Sequence, residues 1–315
     1  MSPSLKYGII LNPAARHGTA YKFESRILAL LNNKNIDYSF YKTKGSLDAV
    51  RIARGIAKNC DVVAAIGGDG TINEVASGLI EAGIGIKNEK DSIAALAIIP
   101  LGSGNDLNKI IGMPLKLNEA LDVLLNGIKK SIDIGSIVFK RKSVLHEETK
   151  IFINSLGIGI DAEIANEIKR IKHLSGLSLY LYAAIKVLAR YRAKELQIQS
   201  ESWNDSGKKY LICLGNGRYE GGGFRFFPDA DPSDGLLDMC VIPKIPLLKT
   251  IPVIPRIIRG THVTDKRITF KRVRQAEFNA EDSFSVHIDG EFLGSDIISM
   301  KVDILPHRLT VLYPD

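Results

Sequence analysis

Residues 62–75 read VVAAIGGDGTINEV. An apolar run enters a glycine-rich turn, and the turn leads directly into a helix start, which predicts a buried strand, a tight loop and a helix. Gly67, Gly68 and Gly70 free the backbone to aim its N–H groups outward, and the new helix adds the positive end of its dipole. That apparatus suits phosphate. Thr71 and Glu74 also satisfy the T-x-x-E capping box, so part of the pattern starts a helix in any case. Asp69 points further, because a carboxylate beside phosphate makes sense when a cation or a transferable proton mediates.

Outward from this stretch, the first 130 residues alternate strand and helix. YGIILN precedes FESRILALLNN, DYSFYK precedes LDAVRIARGIAKN, and ALAIIP precedes NDLNKIIG. The alternation predicts a parallel α/β sheet with ligands at the carboxyl ends of its strands. NPAARHG, GGDGT and LGSGND all fall at that edge, so Asn12, Thr43, Ser103, Gly104 and Asn105 are expected to line one crevice with residues 67–71.

From about residue 131 short alternating segments take over, among them SIDIGSIVF, KYLICLG, AEFNA, FSVHIDG, ISMKVDI and LTVLYP, with turns expected at NDSG (204–207) and PSDG (232–235). This is the pattern of an antiparallel sandwich. The fold expected is therefore α/β in two domains: an N-terminal Rossmann-like nucleotide domain and a C-terminal antiparallel β-sandwich. One helical excursion interrupts the second domain near 161–194.

Composition narrows the function classes. A chain of 315 residues with 45% hydrophobic and 24% charged residues is an ordinary globular protein of about two domains. Three scattered cysteines without CxxC spacing suggest neither a disulfide frame nor a zinc site and fit a reducing cytosol. No signal peptide is read at the N-terminus and no run reaches membrane-spanning length. The net charge of +7 favours an anionic partner. Lys169, Arg170, Lys172 and His173 precede LSLYLYAAIKVLARYRAKE, which suits either an acidic membrane surface or a core helix with solvated ends. Lys266, Arg267, Lys271, Arg272 and Arg274 read as the wet face of a sheet. With 7% aromatics and no recognised module, nucleic-acid binding is not expected. An exposed strand edge leaves a homodimer open.

Two acidic segments remain. PDADPSDGLLDM (228–239) is either a loop for a hard cation or a plain solvated turn, and spacing alone favours the turn. In HIDGEFLG (287–294) Asp289-Gly290 signals a hairpin, after which Glu291 stands where a general base is useful. Walker, H-R-D and G-x-S-x-G motifs are missing, so this is no P-loop enzyme.

Together GGDGTINEV, LNPAARHG, PLGSGNDL, NGRYEGGGFRFFPDADPSDGLLD and IDGE resemble the diacylglycerol kinase catalytic family over essentially the whole chain, in the same order. The likeness is to bacterial soluble lipid kinases, which are themselves similar to sphingosine and ceramide kinases; NAD kinases share GGDGT but not the 216–238 segment. The resemblance implies a nucleotide domain over 1–130, rejoined by about 303–315, and a β-rich lipid domain over 131–302. It implies ATP phosphates on Gly67, Gly68, Asp69, Gly70 and Thr71, with Glu74, Asn12, Thr43, Ser103, Gly104 and Asn105 completing the nucleotide site. A structural Mg²⁺ is implied at the Asp234 carboxylate and the carbonyls of Asp231 and Leu236, which overturns the plain-turn reading. Glu291 matches the proposed base, Asp69 helps place the metal, and the lipid is expected in a hydrophobic cleft between the domains. The enzyme so implied is cytoplasmic and docks on an anionic bilayer. Diacylglycerol leads as acceptor, with phosphatidylglycerol, undecaprenol, sphingoid bases and NAD as alternatives.

Overall fold

The computed structural model describes residues 5–83, 93–102, 104–171, 174, 176–246 and 252–315 and divides into two compact units. The first comprises Met1–Ile132 with His307–Asp315, and the second Asp133–Pro306.

In the first unit, β1 (Lys6–Leu11), β2 (Asp37–Lys42), β3 (Val62–Gly67) and β4 (Ala95–Pro100) form a parallel sheet in the order β2-β1-β3-β4. Every residue of β3 and β4 is buried, which is why both read as unbroken apolar runs. Helices α1 (Ala15–Gly18), α2 (Glu24–Asn33), α3 (Asp48–Ile56), α4 (Asp69–Gly83), α5 (Asp106–Ile111) and α6 (Leu117–Asn126) connect and cover the strands. Ile9, Leu11, Ile27, Leu31, Ile66, Ile99 and Leu121 belong to one core on a single side of the sheet. Chain order reverses between β1 and β3, so the crevice at their carboxyl ends is where such a sheet takes a ligand.

The second unit is largely antiparallel. After β5 (Ile128–Arg141) come β6 (Glu148–Phe152), β7 (Ser155–Gly159), β8 (Lys194–Ser200), β9 (Asn204–Gly215), β10 (Leu237–Pro243), β11 (Thr269–Val273), β12 (Gln275–Ile288) and β13 (Glu291–Tyr313). They pair in the order β11-β10-β9-β7-β12-β13, while β8 bridges β9 and β12 and β6 pairs with β5. Phe139, Phe152, Phe278 and Phe284 anchor the main core, and a second core gathers around Phe224, Phe226 and Phe227. Helices α7 (Ile160–Ile168), α8 (Gly176–Leu188) and α9 (Val253–Arg259) complete the unit. The last residues of β13 belong to the first unit, where Val311 pairs in parallel with Leu96 of β4.

Several local expectations need correction. AEFNA and FSVHIDG form one strand, β12, and ISMKVDI and LTVLYP lie in one 23-residue strand, β13. Exposed Glu281 and Asp282 look like a break but only mark a register shift, since a strand edge solvates charges without ending. NDSG opens β9 instead of turning; residues 201–203 make the turn, where Ser200 and Trp203 bond to each other. The excursion near 161–194 is two helices. Of the basic group, Arg267 lies outside the strand and pairs with Asp265, while Lys271 sits over the Trp203 ring. The hairpin at Asp289-Gly290 holds, with φ of 50 and 80 as a type I′ turn requires.

Gly78 shows how closely α3 and α4 pack: a Cβ there would lie 2.4 Å from the Val50 carbonyl oxygen and 2.8 Å from Ala53 Cβ. Alanine normally gains about 1 kcal/mol over glycine inside a helix. Here overpacking of roughly 1–3 kcal/mol wins. Gly78→Ala is expected to lower the denaturant midpoint, and an unchanged or higher midpoint would show that α3 yields.

Candidate functional site

The expected crevice residues of the first unit do converge. Asn12 follows β1, Thr43 follows β2, Gly67 ends β3 with Gly68–Thr71 after it, and Gly102–Asn105 follow β4. Main-chain bonds tie these ends together: Asn12 N–H donates to Ile66 O at 3.0 Å, Thr43 N–H to Leu11 O at 3.0 Å, and Leu101 N–H to Gly67 O at 2.7 Å. The Asn12 side-chain amide donates to Thr71 Oγ1 at 2.9 Å.

Asp69 is the joint between the two glycine loops. Its Oδ2 accepts the Asn105 N–H at 2.8 Å and its Oδ1 the Asp106 N–H at 2.9 Å. The carboxylate thereby answers the first amides of α5, the donors a helix leaves open at its start. Burial, then the neighbouring Asp106 charge, pushes its carboxyl above the ordinary range despite those bonds. Asp69 was expected to place a metal; as it stands, both oxygens are engaged in holding LGSGND against GGDGT.

The glycines have a matching reason. A Cβ on Gly102 would lie 2.5 Å from Gly68 Cα, and one on Gly104 would lie 2.6 Å from Asp69 Oδ2. Gly67 meets the Thr71 side chain at 2.5 Å. Gly67, Gly68 and Gly70 are not in the positive-φ region. Space explains both, at Gly67 against the Thr71 side chain and at Gly68 against the facing loop, where backbone freedom was expected to.

Glu74 also departs from expectation. Helix α4 begins at Asp69, so Thr71 lies inside it, and no capping box forms. Glu74 reaches instead to α3, accepting Leu47 N–H at 3.0 Å and Ala49 N–H at 3.2 Å. Ser103 lies outside the described residues. Asn108, on α5, is buried with both side-chain polar atoms lacking a hydrogen-bond partner, and Asn105 Oδ1 is likewise unmatched. These buried orphans, with the open N–H groups at the start of α4, fit a bound polar ligand at this edge.

The 231–236 turn answers its own charges. Asp231 Oδ1 accepts both the N–H and the hydroxyl of Ser233, and Asp234 Oδ1 accepts Leu236 N–H. Asp234 Oδ2 pairs with Arg272, whose Nε also lies 3.9 Å from Asp238. Arg272 thus stands against the one carboxylate, Asp234, that the resemblance assigns to Mg²⁺; the other ligands so implied are the carbonyls of Asp231 and Leu236.

The second unit holds an apolar pocket of about 920 Å³, open water at its mouth included. The resemblance puts the lipid in an inter-domain cleft; this pocket is built wholly from the second unit, by Ile160, Ile164, Tyr180, Leu188, Phe224 and Ile254 among others. Its polar lining is Asp161, Glu220 and His287. His287 Nε2 lies 2.8 Å from Asp161 Oδ2 and 3.2 Å from Glu220 Oε1, over Gly157, where no side chain would fit. Burial alone would drive His287 down, but Asp161 and Glu220 outweigh it and hold it at about 10. Burial and the Asp161 charge push Glu220 up, and the Cys213 thiol donates to Glu220 Oε2 at 2.9 Å. The three ligand atoms lie within 4.8 Å of one another, with the imidazole ring beside both carboxyl groups. No sequence pattern announces these residues, which come from α7, a loop and β12.

Glu291 follows the turn, exposed. The turn itself is fixed, since Asp289 accepts the N–H groups of Ile153, Asn154 and Ser155, each at 2.9 Å. Helix α8 lines the pocket with Tyr180 and Leu188 and exposes Tyr182 and Ile185 on its other side. Buried Glu167 pairs with Lys186 inside α8 and with Arg190 of the basic flank after it, and Arg170 of the flank before it lies 3.9 Å away; Lys172 and His173 lie outside the described residues. Among the described residues no helix is long and apolar enough to cross a membrane.

Residues 6–137 match the diacylglycerol kinase catalytic domain, and residues 154–313 match the YegS C-terminal NAD kinase beta sandwich-like domain. Diacylglycerol kinase of Bacillus subtilis is 27% identical over 289 residues, covering 91% of this chain and 89% of that one. The enzyme of the same name from Staphylococcus saprophyticus is 26% identical, covering 91% and 88%. In fold, the chain is similar to a diacylglycerol kinase of Bacillus anthracis, with a TM-score of 0.72 at 20% identity over 99% and 98% of the two chains. It is also similar to yeast NADH kinase, with a TM-score of 0.56 at 11% identity over 100% and 85%.

If Asp69 joins the loops, Asp69→Ala leaves two amides without an acceptor. Hydrogen exchange at Asn105 and Asp106 is then expected to accelerate about tenfold or more, with amides of β1 unaffected. Asp69→Asn is expected to act similarly, since one acceptor becomes a donor. Unaltered exchange at both positions would show that the loops hold without the carboxylate.

Proposed function

The chain belongs to the diacylglycerol kinase catalytic family and is a phosphotransferase acting on an alcohol, and on that premise we propose that MgATP is its donor and diacylglycerol its acceptor, giving phosphatidic acid. The observation that carries the acceptor is the pocket: an apolar cavity with one hydrogen-bonding cluster matches a molecule of greasy chains and a small polar head. A soluble dinucleotide would leave those apolar walls without a partner.

In this reading the first unit holds the nucleotide. The open amides of α4 take phosphate oxygens, Asn12 and Thr71 border them, and Asp69 keeps the two loops in register. Bound Mg²⁺ would neutralise charge on the transferring phosphoryl group. In the second unit the acyl chains lie along Ile160, Ile164, Phe224 and Ile254, and Glu220, beside His287, faces the polar head. Glu291 accepts the proton of the attacking hydroxyl. A carboxylate is too weak a base to ionise beforehand an alcohol resembling water at about 15.7. The proton therefore moves late, as the phosphoryl group arrives.

The acceptor sits in a bilayer, and α8 supplies the means of reaching it. Tyr182 and Ile185, 51% and 60% exposed, lie one turn apart on its outer side, with Lys169 and Arg170 just before the helix. An apolar stripe flanked by cations suits peripheral docking on anionic lipid.

Transfer of labelled γ-phosphate to a panel of diacylglycerol, phosphatidylglycerol, undecaprenol, sphingosine and NAD⁺ tests the acceptor. Label is expected in phosphatidic acid, and label only in the dinucleotide would overturn the lipid reading. Glu291→Gln is expected to lower kcat about a hundredfold with ATP affinity unchanged, and near-normal turnover would remove Glu291 from the mechanism. Docking is tested by co-sedimentation with vesicles containing phosphatidylglycerol. Ile185→Ser with Lys169→Ala and Arg170→Ala is expected to reduce binding several-fold while ATP binding persists; vesicle binding indifferent to these changes would exclude α8 as the docking element.

A further inference from the structure

Leu47 is held in a backbone conformation that works against it. With φ of 63 and ψ of 2 it occupies the left-handed region, where a Cβ crowds the neighbouring carbonyl oxygen. Among the described non-glycine residues with positive φ, it is the only aliphatic one; the others are Arg16, Asn35, Asn105, Asp289 and His307. The side chain is 66% exposed, so little burial offsets the strain.

The hydrogen bonds the fold draws from position 47 are main chain. Its N–H donates to Glu74 Oε1, and its carbonyl accepts the Arg51 N–H at 3.3 Å as α3 begins. Glycine would supply both bonds without strain. The isobutyl group is the one thing leucine adds, and inside the protein it has little to do. Strain retained without a folding return is what a ligand contact leaves behind.

The surroundings indicate which ligand. Residues 43–47 leave the carboxyl end of β2, at the edge shared by Asn12 and the 67–71 loop. Glu74 lies one helical turn beyond Thr71 and fixes the loop through Leu47 and Ala49, so the phosphate loop and Leu47 sit on one rigid connection. Lys44 N–H bonded to Asp48 Oδ2 at 2.9 Å closes the loop from its other end.

We propose that Leu47 is the apolar platform for the base of the bound nucleotide. This rests on the reading of the 67–71 edge as the nucleotide site. A purine offers a flat, poorly hydrated face that aliphatic carbon covers well, while the phosphates are held elsewhere by amides. Leu47 then contributes to affinity for the base and nothing to affinity for the phosphate chain.

Calorimetric titration of the full chain with MgATP and, separately, with magnesium tripolyphosphate separates the two. Leu47→Gly is expected to weaken ATP about tenfold, to leave tripolyphosphate within twofold, and to keep or raise the melting temperature, because glycine relieves the strain. Leu47→Ala is expected to weaken ATP similarly while keeping the strain. ATP affinity unchanged in Leu47→Gly would overturn the proposal, as would equal losses for both ligands, which would mean that Leu47 acts through the phosphate loop. Wild-type protein that binds neither ligand would instead refute the nucleotide-site reading beneath it.

Discussion

The Asp69 carboxylate, shared between the amides of Asn105 and Asp106, is the contact on which the rest of the first unit's site depends. It sets the distance between two loops that leave adjacent strands. That distance is short enough for Gly68 and Gly102 to meet through bare backbone, which is why no side chain is tolerated there. The cost is a carboxylate kept from water with its proton affinity raised. Charge-assisted bonds to two helix-end amides offset that cost, and the loops gain a fixed geometry that neither has alone.

The second unit solves a different problem. An apolar pocket with ionisable groups at one end faces two demands: those groups must be paired, and they must stay polar. Asp161, Glu220 and His287 meet both demands: an imidazolium between two carboxyls, one of them pushed toward its protonated form, is polar without being strongly charged. The buried Cys213 thiol satisfies the remaining Glu220 oxygen. Such a cluster is held together by mutual pairing, so removing any member strands the others.

The first unit was legible because its signals are local. Apolar strands, glycine loops and amphipathic helices each declare themselves within a dozen residues, and the loops lie where parallel strands must end. The same locality misled at Glu74, which reads as the partner of Thr71 three residues away but bonds to α3. It hid Asp69's role as well, since its partners lie 36 and 37 residues on. In the second unit the alternating pattern marked strands but not their lengths, because an exposed acidic pair such as Glu281 and Asp282 interrupts the pattern without ending the strand. The His287 cluster was beyond reach, with 126 residues between His287 and Asp161 and no spacing rule to join them. Arg272 at the acidic turn was read only as a wet-face cation, for the same reason.

Strand β13 gives the chain an order of assembly. The parallel sheet ends at β4, and the strand that pairs with that edge carries Val311, far later in the chain. At roughly 5–20 residues per second, about 10–40 s separate the synthesis of β4 from that of its partner. Throughout that interval the nascent first unit carries an open, wholly apolar edge strand, the kind of surface that invites wrong pairing. The second unit is continuous in sequence and has all its residues earlier. The N-terminal unit is therefore begun first but completed only after the second unit has been made.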